Sequence, residues 1–141
     1  MNSRALVSTG VAGVSDWQLT IPGEMPGMNE IIDARRITNG RWNAYTKMKR
    51  ECGAKVALFA QMANAPKITG AHHWVYHLFC RNKLRDPSNI LFGAAKFIED
   101  GLQQAGLLEN DGWGQVLSIR GRFNVDKERP RVELVLYAEE A

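Results

Sequence analysis

Residues 85–106 read RDPSNILFGAAKFIEDGLQQAG, and how this stretch folds decides what the flanking segments become. Asp86 before Pro87 and a periodic apolar run is the pattern of a helix start, with a polar acceptor at the cap and proline at the first helical position. Ile90, Leu91, Ala94, Ile98, Leu102 and Ala105 recur at three- and four-residue steps and so make the side that a helix buries against a sheet. Asn89, Gly93, Lys96 and Asp100 run along nearly the opposite side, which is expected to be open. Gly106 ends the helix, since glycine takes the positive φ that a helix C-terminus favours. Asp111 falls in the polar turn beyond it.

Asp86 and Asp111 therefore flank one helix that carries Lys96 on its open face. Two carboxylates and an ammonium so placed can hold a magnesium ion against a phosphate and neutralise charge as the phosphate is attacked. The same residues also read as an ordinary helix cap and a solvated lysine. Spacing alone leaves both readings open.

Outward from the helix, 141 residues suit one domain with its own core, and 45% apolar with 23% charged residues is the composition of a soluble globular protein. Residues 1–15 hold a thin apolar stretch broken by Ser8, Thr9, Gly10 and Gly13, too interrupted for a secretory signal, and read as a flexible extension before a domain over 16–141. Cys52 and Cys80 lack Cys-x-x-Cys spacing and are expected to be reduced, buried thiols of a cytoplasmic protein. No run reaches membrane-spanning length, and no glycine-rich nucleotide loop or Ser/His/Asp arrangement is present.

Alternation of Trp17, Leu19 and Ile21 predicts a first strand over 16–22. A long connection over 23–40 follows, holding Pro26, three glycines and the pair Arg35-Arg36, and it has the reach to meet a phosphate backbone. Three-and-four spacing from Tyr45 to Met62 predicts a helix over 41–64, with Arg41, Lys47, Lys49, Arg50 and Lys55 on its other faces. Residues 72–80 form the next strand, in which His73 and His77 stand too far apart to chelate one ion. Arg81, Lys83 and Arg85 then lead into the helix at Pro87. Strands over 115–123 and 131–137, joined by a charged turn, close the chain. The order β-α-β-α-β-β, with two main helices, implies an α/β (α+β) two-layer sandwich on a mixed sheet. A net charge of +3 and a pI near 9.0 permit nucleic-acid binding without requiring it.

The string Arg85-Asp86-Pro87-x-Asn89-Ile90, then Lys96-x-x-x-Asp100-Gly101-Leu102-x-x-Ala105-Gly106 and Asn110-Asp111, resembles the signature of the RusA family of Holliday-junction resolvases. The similarity runs from about Trp17 to Tyr137, taking in Leu19-Thr20-Ile21-Pro22-Gly23, Pro26-Gly27-Met28-Asn29 and the closing Arg131-Val132-Glu133-Leu134-Val135-Leu136. The resemblance implies a magnesium-dependent endodeoxyribonuclease that acts as a homodimer on four-way DNA junctions. Asp86 and Asp111 match the metal-binding aspartates and Lys96 the essential lysine. Ser88 stands where the family carries a second aspartate, so Ser88 and Asp100 are further ligand candidates. Arg35, Arg36, Arg81, Lys83, Arg85 and Asn89 are the expected DNA contacts. The alternative is a RusA-like protein that binds branched DNA without efficient cleavage, Ser88 being the lesion.

Overall fold

The computed structural model describes residues 15–36, 38–39 and 42–139. The extension expected over 1–15 lies outside them except for Ser15. Alternating Val132, Leu134 and Leu136 make Arg131–Tyr137 (β6) one of the two interior strands of a four-stranded sheet, buried on one face at every second residue. Antiparallel to it on one side runs Trp17–Pro22 (β1), and on the other His72–Cys80 (β4). Val116–Val125 (β5) pairs parallel with β4 and forms the edge, so the order is β1-β6-β4-β5. A parallel pair needs a crossover, and Pro87–Gln104 (α3) supplies it.

Ala44–Met62 (α2) and α3 cover one face of the sheet, which gives the two-layer α+β architecture the sequence predicts. Trp74, Tyr76 and Leu78 of β4 and Leu134 and Leu136 of β6 meet Ala94, Phe97, Ile98 and Leu102 of α3 in one core. Cys52, half-buried, and Cys80, buried, are free thiols. Burial pushes the Cys52 thiol up to about 11, so it is a poor nucleophile. Among the described residues no helix is long and apolar enough to cross a membrane.

The connection expected over 23–40 contains a helix, Met28–Arg36 (α1), and two-residue strands Thr38–Asn39 (β2) and Trp42–Asn43 (β3). The helix is nine residues long and buries only Ile31 and Ala34, too weak a periodicity to overrule the Pro and Gly punctuation before it. One local and one tertiary bond hold it instead. Glu30 Oε1 accepts from Gly27 N at 2.9 Å, and Asn89 Oδ1 accepts from Asn29 N at 2.7 Å.

The expected helix over 41–64 begins at Ala44, because Asn43 takes the cap and accepts from Thr46 N at 3.1 Å. Its buried residues are Gly53, Val56 and Ala60, whereas Met62, read as part of the apolar stripe, is exposed. The helix α3 is buried nearly all round rather than on one side. Gly93, expected on the open face, lies beneath the loop before α1, where an added Cβ would sit 2.1 Å from the Pro26 carbonyl oxygen. Ala105, expected in the core, is exposed. Strand β5 runs to Val125, two residues beyond its expected end.

Candidate functional site

Helix α3 runs back along β4, from the Cys80 end of that strand to its His72 end, where Gln115 O accepts from His72 N at 3.0 Å. Its 18 residues span about 27 Å. Asp86 precedes the first turn and Asp111 follows the last, so within one chain the two acids stand at opposite ends of the helix. One ion cannot be shared between them there, and the spacing that flanks a helix in sequence separates the acids in space. Among the described residues, no three His, Cys, Asp or Glu side chains are grouped to hold a metal ion.

Both ends are exposed, and Asp86 lies at the N-terminal one. Asp86 occupies the cap position with extended backbone, φ −71° and ψ 147°, but its side chain makes no capping bond. Pro87 starts the helix without one, since its preset φ suits the first helical position and it has no N–H to satisfy. The Asp86 carboxylate is left facing solvent beside exposed Ser88 and the loop that carries Lys83.

The cations before it are differently committed. Arg85 is half-buried, donates to Met25 O at 2.9 Å and lies 3.1 Å from Glu30 and 3.6 Å from Glu24. Arg81 pairs with Glu24 at 3.3 Å while staying largely exposed. Glu24, Glu30, Arg81 and Arg85 line an open cleft at the mouth of the loop. Arg85 thus anchors α1 to the start of α3, and Asn89 does the same through Asn29. Of the expected DNA contacts in this region, exposed Lys83 is the one whose side chain takes no part in this network.

The second half of α3 gathers the other titratable groups. Lys96 Nζ lies 3.8 Å from Asp100. Arg35, at the end of α1, sits with its guanidinium carbon 4.4 Å from the centroid of the Tyr45 ring on α2. Buried Glu99 accepts from the Tyr76 hydroxyl at 2.6 Å. Burial pushes the Glu99 carboxyl up to about 7 against the opposing Tyr76 bond, and the negative charges of Asp111 and Asp100 push in the same direction as burial. Asp111 itself is exposed, in a turn pinned by Gly112 N donating to Asn110 Oδ1 at 2.8 Å and Asn110 N donating to Gln115 Oε1 at 2.8 Å. Lys96, Asp100 and Asp111 therefore belong to one electrostatic neighbourhood, and Asp86 with Ser88 to another.

Sequence reading missed Glu99, Tyr76 and Tyr45. The core-facing row of β4 contained the clue, since a tyrosine buried among Trp74 and Leu78 needs a partner for its hydroxyl, and the helix packed on it carries a glutamate beside Ile98. Two of the three histidines of β4 are hydrogen-bonded, His73 Nδ1 with Ser118 Oγ at 2.7 Å and His72 Nε2 with Ser15 O at 2.8 Å, while His72 Nδ1 is buried without a partner.

Beyond the helix, β5 carries Leu117, Ile119, Gly121, Phe123 and Val125 on one side, with the four large side chains between 40% and 51% exposed. In register, Ile119, Phe123 and Val125 stand beside Trp74, Leu78 and Cys80, so this side continues the core face past the helices. Half-buried Leu91 of α3 lies on the same flank, since a Cβ at Gly121 would come within 3.0 Å of Leu91 Cδ2. No family model matches this chain, and no curated protein matches it.

Proposed function

We propose that this protein is a magnesium-dependent endonuclease similar to RusA resolvases, cutting four-way DNA junctions as a homodimer. The observation that carries the reading is the state of Asp86, a motif carboxylate at a helix start that leaves capping undone and faces solvent. Lys96 supports it as the cation that would offset charge on an attacked phosphate, with Asp100 beside it.

The distance along α3 makes the second copy necessary. The uncovered apolar side of β5 and its edge position suit a like strand about a two-fold axis. In that arrangement the partner's α3 runs the opposite way, and Asp86 of each copy falls on the side of the partner's Asp111. Two sites so formed, one at each end of the paired helices, would give paired nicks on opposing strands.

A second reading, a junction-binding protein without efficient cleavage, is favoured by Ser88 in place of an acid and by the dispersal of carboxylates within one chain. Incubation with a synthetic four-way junction, with and without magnesium, separates the two. Paired, metal-dependent nicks in the junction with linear duplex left intact are the expected result. Tight binding without nicks selects the second reading, and equal, weak affinity for junction and duplex sinks both.

A further inference from the structure

We propose that Arg35, Tyr45 and Lys96 form a phosphate-binding subsite where α1, α2 and α3 meet, with the Tyr45 hydroxyl as a donor to the phosphate. Three helices each contribute one side chain. The Tyr45 ring rests on Phe97, centroids 6.3 Å apart at 34°, while the Arg35 guanidinium covers it at 4.4 Å. Burial pushes the Tyr45 hydroxyl up. The neighbouring cations Arg35 and Lys96 outweigh burial and hold it below its ordinary value. A phenol beside two cations is polarised by them and becomes a stronger donor.

The charge around this phenol is unbalanced. Lys96 meets Asp100 at 3.8 Å, longer than a charge-assisted hydrogen bond, and Arg35 is directed at the ring. The first turn of α2, which contains Tyr45, carries no acid, so the positive end of that helix adds to the two cations. Like charges gathered around one side chain repel, and an anion between them relieves the repulsion. A phosphate group fits the need, with two charged donors and one neutral donor for its oxygens. The subsite deepens the nuclease reading by naming where a backbone phosphate would sit, and it rests on that reading only for the source of the phosphate.

The test titrates the full chain with inorganic phosphate and, separately, with a thymidine dinucleotide phosphodiester. The Tyr45 ring signals are followed by NMR after carbon-13 labelling and assigned by their absence in Tyr45→Phe. Both ligands are expected to shift those signals and to raise the pH at which Tyr45 ionises, because a bound anion disfavours the phenolate. Arg35→Gln and Lys96→Gln are expected to weaken binding by about fivefold or more, with Arg35→Lys retaining most of it. Tyr45→Phe is expected to melt as the parent does while weakening binding by about threefold to tenfold. Tighter binding of the dinucleotide assigns the subsite to a nucleic-acid backbone. Binding of phosphate alone keeps the subsite and detaches it from DNA, and loss of junction cleavage with phosphate binding intact counts against the nuclease reading only. Tyr45 signals unmoved by either ligand, or Arg35→Gln and Lys96→Gln proteins that bind as the parent does, overturn the proposal.

Discussion

At the start of α3, Asp86 faces solvent with its capping bond unmade, and the neighbouring guanidinium of Arg85 is turned inward to Glu24 and Glu30. Toward the end of the same helix, Glu99, Asp100 and Asp111 act on one another, Tyr76 donates to Glu99, and Lys96 stands among them. One end holds an acid with no surrounding network, and the other a network around a buried acid. The difference teaches that a motif written along a helix fixes the faces of its residues without bringing its two ends together. From Asp86 to Glu99, on which Asp111 acts, about 20 Å of helix separates what the sequence places side by side as flanks. Any chemistry that needs both ends has to draw on two molecules.

The largest effect that follows is recovery of activity from two inactive proteins. Asp86→Asn and Asp111→Asn, each pure, are expected to leave four-way junctions uncut. Mixed and allowed to exchange subunits, they regain magnesium-dependent nicking, because one of the two shared sites in each mixed dimer then carries both aspartates. That dimer nicks one strand and makes no paired cuts. Ile119→Lys on the apolar side of β5 is expected to abolish the recovery and shift the sedimenting species to one copy. Mixtures that stay inactive while the subunits demonstrably exchange would break the comparison, since the two ends would then serve separate purposes.

How far the sequence discloses this molecule depends on which interactions are local. Strands β1, β4 and β6 and the course of α3 were legible from alternation and three-and-four spacing, although α3 buries more than the one face that spacing marks. The short helix α1 was not, because Asn89 and Arg85, some 60 residues away, supply the bonds that hold it. For the same reason no local pattern showed that these two side chains, expected on a DNA surface, tie one helix to another. Asp86, Lys96, Asp100 and Asp111 were legible as chemistry-bearing residues. Their grouping into two neighbourhoods was not, since it depends on the run of α3 against β4. Tyr45 illustrates the remaining gap, since its spacing placed it in a helix's apolar stripe and nothing local announced Arg35 above it.

A smaller effect sharpens the networked end. The Glu99 carboxyl is raised to about 7 from an ordinary 4.5 by burial, with Asp111 and Asp100 adding to the shift and Tyr76 and Lys96 opposing it. The raised value means that between those limits the folded chain keeps a proton the unfolded chain has released. Stability contributed by this group is therefore full below about 4.5, falls as pH rises toward about 7 and is flat beyond, a change of about 3 kcal/mol. Urea unfolding at about pH 5 and about pH 8 measures it. Glu99→Gln should flatten the difference between the two conditions relative to the parent, and an unchanged difference would mean that Glu99 is ionised in the fold.

The smallest effect concerns the open end. A bonded helix cap replaced by alanine costs about 1 kcal/mol, whereas Asp86 makes no capping bond and Pro87 already presets the first turn. Asp86→Ala should therefore change unfolding free energy by less than about 0.5 kcal/mol while removing junction cleavage. That pairing matters because it separates the two readings the motif began with. An acid whose loss leaves the fold untouched and stops the reaction acts on something outside its own helix. If Asp86→Ala instead costs as much as a lost cap, the carboxylate closes over the helix start in solution, and Asp86 is a piece of helix punctuation like any other.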